Sequence, residues 1–152
     1  MRSDCPEGCL AGRVARTLPK DRVHRLGRWR LNGKVYETRT GFDTRNRPCV
    51  VLATRFHVRD LEKLDARERR EFGELVPFIQ AQLLKRVRAK SVAVLYLNPG
   101  REHVHVHFVP RFAGDRQPPQ TLLEKPLPRG IKAPSPVAVA LAIAKARRRA
   151  GR

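Results

Sequence analysis

"REHVHVHFVPR", residues 101–111, sets three of the chain's five histidines at strict intervals of two, His103, His105 and His107, with a valine in each gap. A period of two belongs to an extended strand, where successive side chains leave opposite faces. Val104 and Val106 then point into a core, and the three imidazoles share the other face. Alternate strand residues stand roughly 6.6 Å apart, so His103 and His107 are separated by about 13 Å along the backbone. That spread limits what the row can bind. Imidazole nitrogens sit about 2.0–2.1 Å from a zinc ion, so three histidines on a straight strand cannot all converge on one. A phosphate group is larger and takes donors on several sides. Imidazole is also a nitrogen nucleophile, largely uncharged near neutral pH, that can accept a phosphoryl group and pass it to water. The row therefore reads as phosphate chemistry, with the middle imidazole at phosphorus and its neighbours on the oxygens.

The surrounding sequence supplies a frame for this strand. "SVAVLYL" (91–97) is strand-like and "NPG" (98–100) is a turn signal, which predicts an antiparallel hairpin with 103–111. Upstream, "RDLEKLDARERREFGELVPFIQAQLLKRVRA" (59–89) places Leu61, Leu64, Phe72, Leu75, Phe78, Ile79 and Leu83 near helical spacing. Asp65 with Glu68 three residues on makes a capping box, and Pro77 predicts a kink or a break into two pieces. "PCVVLATRF" (48–56) reads as a strand opened by Pro48. "GKVYETRTGFD" (33–43) reads as another, alternating around Val35, Tyr36 and Thr38 before the turn-prone "FDTRNRP". Trp29, Tyr36 and Phe42 are expected in the core rather than on a base. Beyond Asp115 the chain becomes Pro-rich and reads as an arm over the surface. A basic helix follows from Ser135 as N-cap and Pro136 in the first turn. Strands, then a helix, then strands argue an α+β fold with an antiparallel sheet.

With 152 residues the chain has room for one core. Its 33 Lys and Arg against 14 Asp and Glu give a formal charge of +19, a field that draws nucleotides, nucleic acids or other anions. No stretch has the roughly 20 apolar residues of a membrane span, and "MRSDCPEGC" lacks the apolar middle of a signal peptide, so a cytoplasmic location without membrane is expected. There, the odd set Cys5, Cys9 and Cys49 reads as metal ligands or plain thiols rather than disulfides.

At the triplet the sequence resembles the histidine triad, or HIT, superfamily of nucleotidyl hydrolases and transferases, whose motif is His-x-His-x-His followed by two apolar residues, here Phe108 and Val109. "HVHVHFVPRFAGD" is most similar to the Fhit branch, which cleaves diadenosine polyphosphates. Asn98 with Gly100 matches an Asn-x-Gly ahead of the triad, and the strand and Leu-rich helix upstream extend the likeness over 34–115. The resemblance implies a HIT-like domain there, an antiparallel sheet of about five strands packed with one long helix. Residues 1–33 would then form an N-terminal extension and 116–152 a Pro-rich arm with a short helix. It implies that His105 attacks the α-phosphate of a nucleotide substrate to form a nucleotidyl-histidine, that His103 and His107 flank it, and that no cofactor takes part. Asn98, Gly100 and Arg101 would contact the phosphate or ribose side, and Asp43 and Asn46 would lie near the nucleoside. It also implies pairing into a homodimer.

Two departures from the family pattern widen the expectation. Hint and Fhit relatives carry a Gly-Gln-Ser/Thr loop before the first histidine, whereas here only Arg101 and Glu102 follow Gly100. A short approach to the triad is also found in aprataxin-like enzymes, which remove adenylate from DNA ends, and that substrate suits the positive charge. The missing glutamine equally suits a nucleotide- or nucleic-acid-binding module without catalysis. The second departure is Cys49, which stands where many relatives have a histidine. Bacterial relatives hold a structural zinc with that residue, two N-terminal cysteines and the first triad histidine, so the implied set is Cys5, Cys9, Cys49 and His103. His57 falls at the family's basic-plus-histidine position and reads as a surface residue.

Overall fold

A computed structural model of the chain describes Cys9 and residues 23–32, 36–38, 41–43, 50–97, 103–133 and 135–151. Strands β1 (Val23–Leu26), β2 (Trp29–Asn32), β5 (Val50–Thr54), β6 (Ser91–Tyr96) and β7 (His105–Arg111) make one five-stranded sheet in the order β1-β2-β5-β7-β6, antiparallel at every pairing. Strands β3 (Tyr36–Thr38) and β4 (Gly41–Asp43) form a separate hairpin. The helices are α1 (Ala66–Val87), the four-residue α2 (Pro119–Leu122) and α3 (Pro136–Arg149). The chain is α+β, as its element order predicts. No helix among the described residues is long and apolar enough to cross a membrane.

The alternation of β7 divides the molecule. Val104, Val106 and Phe108 join Leu75, Ile79 and Leu83 of α1 in the main core, so the helix lies on the valine side of the sheet. The cap expected at the start of α1 is formed in full: the Glu68 N–H donates to Asp65 Oδ1 (2.7 Å), and the Asp65 N–H donates to the Glu68 carboxylate (2.8 Å). Trp29 is sealed beneath this turn, where its Nε1–H donates to the Glu68 carbonyl (3.1 Å) and its ring stacks on Phe72 at 5.1 Å. Trp29 thus belongs to the core, as expected.

Four features depart from the sequence expectation. The stretch Val23–Asn32, assigned to an N-terminal extension, pairs into the main sheet as an edge hairpin. Alternation in it is limited to Trp29-Arg30-Leu31, too short a run to signal a strand. The turn is made possible by Gly27 at φ +63°, the positive φ that a II′ hairpin needs at its first position. Next, Pro77 lies inside one continuous α1 rather than at a break. The carbonyl it leaves without an N–H partner and would crowd is that of Gly73, four residues back; both residues are exposed, so solvent can serve that carbonyl. The third is the reversal after β3, which occurs between paired Thr38 and Gly41 and so ahead of "FDTRNRP". Finally, the C-terminal segment contributes to the interior. Val139, Ala140 and Ile143 of α3 enter the main core, while Leu122 and Leu123 close over Val109 on the opposite, histidine side.

Candidate active site

Three elements converge where β5 ends and β7 begins. Ala53 of β5 is the partner of His105, and Arg30 of β2 is the partner of Ala53, so Arg30, Ala53 and His105 form a row across the sheet. Trp29 and Leu31, on either side of Arg30, enter the core, which turns Arg30 to the histidine face.

The hydrogen bonds assign the tautomers. His105 Nδ1 lies 2.9 Å from the His103 carbonyl oxygen. A carbonyl can only accept, so Nδ1 carries the proton and Nε2 carries the lone pair of the neutral ring. Arg30 Nη2 donates to His103 Nε2 at 2.9 Å. Guanidinium has no acceptor, so His103 has its proton on Nδ1, which faces Cys9 Sγ at 3.7 Å. The His103 ring is 1% exposed, and burial first, then the positive charge of Arg30, holds its pKa down to about 3. It is therefore a neutral, fixed member of the row. His105 is 9% exposed, and His107, more open, meets it edge-on with ring centroids 4.9 Å apart.

His57, expected at the surface, is half-buried with Nδ1 sealed from solvent, its ring edge-on to His103 at 5.9 Å between centroids. The chain after β5 turns back under β7, where the Val104 N–H donates to the Val58 carbonyl (2.6 Å), and this carries His57 inward. One ligand atom each from Cys9, His57 and His103 lie within 4.8 Å of one another. Tetrahedral zinc with Zn–S of about 2.3 Å and Zn–N of about 2.0–2.1 Å sets sulfur and nitrogen about 3.6 Å apart, close to the Cys9–His103 separation. The donors therefore fit zinc. Ligation through His103 Nδ1 would move the ring proton to Nε2, and Arg30 would then have to release that nitrogen.

Of the residues expected to act, the structure brings together His103, His105, His107 and Cys9. Cys5, Cys49, Asn46, Asn98, Gly100 and Arg101 lie outside the described residues, and Asp43 is described only as backbone in β4. His57 and Arg30 were missed as site members. The basic-plus-histidine pattern of Arg55 and His57 was a usable signal for His57. Arg30 gave none, since it is one arginine among many in a basic segment.

No family model matches the sequence, and no curated protein matches it. Solved structures do. SMU.412c from Streptococcus mutans UA159 superposes with a TM-score of 0.57 at 17% identity, covering 97% of this chain and 88% of that one. A Hit-like protein involved in cell-cycle regulation from Bartonella henselae, solved with an unknown ligand, superposes with a TM-score of 0.56 at 17% identity, covering 78% of this chain and 91% of that one. With a five-stranded antiparallel sheet, one long helix behind it and a histidine row on the opposite face, the chain has the HIT-like fold.

Proposed function

We propose that the chain is a nucleotidyl hydrolase or transferase working through a covalent intermediate on His105. The observation that carries this reading is the bond from His105 Nδ1 to the His103 carbonyl, which leaves the ring's lone pair on Nε2, as a nucleophile requires. In the first step Nε2 attacks the α-phosphorus of a nucleotide anhydride or phosphoramidate. An N–P bond forms, and the bond from phosphorus to the leaving group breaks with its electron pair departing on that group. The positive charge that develops on the ring is shared with the His103 carbonyl dipole through Nδ1–H. His107 flanks the ring and would donate to the phosphate oxygens. Asn98, Gly100 and Arg101 would hold the phosphate and ribose, with Asp43 and Asn46 towards the nucleoside. In the second step water attacks phosphorus, the N–P bond breaks, and the imidazole is restored.

Mass spectrometry tests this directly. After brief exposure to a panel of adenylated and guanylated compounds, one nucleotide mass is expected on the 102–111 peptide, located by fragmentation at His105. Full turnover by His105→Ala would refute the mechanism.

A second reading places the nucleotidyl group on a nucleic-acid end. It is supported by the +19 charge and by Lys145 and Arg147–Arg149 on α3. An adenylated oligonucleotide should then outcompete a free dinucleotide at low salt, with the advantage vanishing as salt rises.

We further propose that Cys9, His57 and His103 hold a structural zinc, completed by a thiol from Cys5 or Cys49. Such an ion would tie the N-terminal segment to the sheet and would supply no step of the reaction. About one zinc per chain, falling well below that in Cys9→Ser and His57→Ala, is expected from metal analysis.

A further inference from the structure

Six arginines from four separate parts of the chain come to one end of the molecule. The β1–β2 turn brings Arg28, whose N–H donates to the Glu71 carboxylate of α1 (2.7 Å). Glu71 also pairs with Arg67 (2.9 Å), so the first turns of α1 are fastened to this hairpin turn. Arg55, just past β5, donates through its N–H to the Arg28 carbonyl (2.9 Å) and through Nη1 to the Gly27 carbonyl (2.9 Å). The guanidinium groups of Arg28 and Arg55 lie 5.2 and 5.8 Å from the centroid of Phe56.

Helix α3 delivers the rest. Arg86 Nη2 near the end of α1 donates to the Ala138 carbonyl near the start of α3 (3.3 Å), and Glu74 in the first half of α1 pairs with Arg147 near the end of α3 (3.6 Å). The two helices are therefore antiparallel, and the terminal Arg147, Arg148 and Arg149 come to the same end as Arg28, Arg55 and Arg67. Among the described residues, the ion pairs of this cluster engage Glu71 and Glu74, against six arginines. Arginines at the end of a helix complement its dipole, but that does not account for the contributions of the hairpin turn and the β5 exit.

We propose that this end is a docking surface for the phosphodiester backbone of a nucleic acid. Guanidinium forks match phosphate oxygens in pairs, and the cluster extends over two helix ends and a turn, as a polymer of evenly spaced anions requires. At Arg55 and Phe56 it borders the histidine row, because the residue after Phe56 is His57, beside His103, whereas the arginines of α3 come from the valine side of the sheet. An acidic membrane surface is a poorer match. Among the described residues the large exposed apolar side chains are Leu97 and Leu141, on separate elements, and they form no stripe to insert. The proposal deepens the nucleic-acid reading of the site and rests on it for the identity of the anion.

The test is fluorescence anisotropy of the full chain with a labelled 20-base-pair DNA duplex, across a salt series. Arg148→Glu/Arg149→Glu is expected to bind roughly 10- to 100-fold more weakly at 100 mM salt, with a log–log salt slope shallower by about 2. Arg55→Ala should flatten the slope by about 1. Both Arg148 and Arg149 are exposed, so the double variant should fold. It should still be labelled at His105 by a free nucleotide at the parent's rate, which separates loss of docking from failure of the catalytic reading. No binding by the parent at low salt, unchanged binding by both variants, or binding to phosphatidylserine vesicles in preference to the duplex would overturn the proposal.

Discussion

The two sides of β7 differ in what their neighbours must supply. On one side Val104, Val106 and Phe108 are at most 1% exposed and belong to the main apolar core. Any well-shaped hydrophobic surface would satisfy them, and their contribution scales with the area removed from water. On the other side His103 is equally sealed, yet each of its ring nitrogens faces a specific polar atom, Arg30 Nη2 or Cys9 Sγ. Burial there has a desolvation penalty that only correctly placed partners offset. One side holds the sheet to α1, whereas the other fixes the orientation and protonation of a nucleophile.

Substitutions on the two sides should therefore separate activity from stability. The largest expected effect is on turnover: His105→Ala should lower it by about three orders of magnitude or more. The same change should alter unfolding free energy by no more than about 1–2 kcal/mol, since it removes one hydrogen bond to the His103 carbonyl. Chemical denaturation beside a turnover assay checks both, and large destabilisation in this variant would break the division between the sides.

Phe108→Ala on the apolar side should do the reverse. It should lower stability by about 3–5 kcal/mol through lost burial and a cavity against α1, while nucleophile modification at a temperature where the chain stays folded remains near the parent's.

Acid should sharpen the contrast further. The folded chain keeps His103 neutral down to about pH 3, whereas an exposed histidine in the unfolded chain takes its proton near 6.5. Between those values the unfolded state binds the extra proton, so stability is fully present above pH 6.5 and is lost as pH falls toward 3. The effect amounts to at most a few kcal/mol. Urea midpoints measured from pH 7 to pH 4 should slope less in His103→Asn than in the parent, and identical slopes would count against His103 as the neutral buried member.

The smallest effect belongs at the start of α1. Asp65→Ala breaks a reciprocal cap and should lower stability by about 1 kcal/mol, with no change in His105 labelling.

Local patterns in the sequence determined the histidine strand, its hairpin with β6, the long helix with its capping box, and the basic helix at the C-terminus. Each of these follows from periodicity, turn chemistry or capping within a few residues, so neighbours along the chain carry the information. The β1–β2 hairpin was not legible, because its alternation is limited to Trp29-Arg30-Leu31 and its place in the sheet is set by the pairing of β2 with β5. The inward position of α3 was hidden by the prolines before it. Only the tertiary structure set Arg30 against His103, brought His57 to Cys9, and gathered the arginines at the triad end of the sheet. Those juxtapositions join residues far apart along the chain, 73 positions for Arg30 and His103, and they depend on strand order and helix direction, which no local pattern encodes.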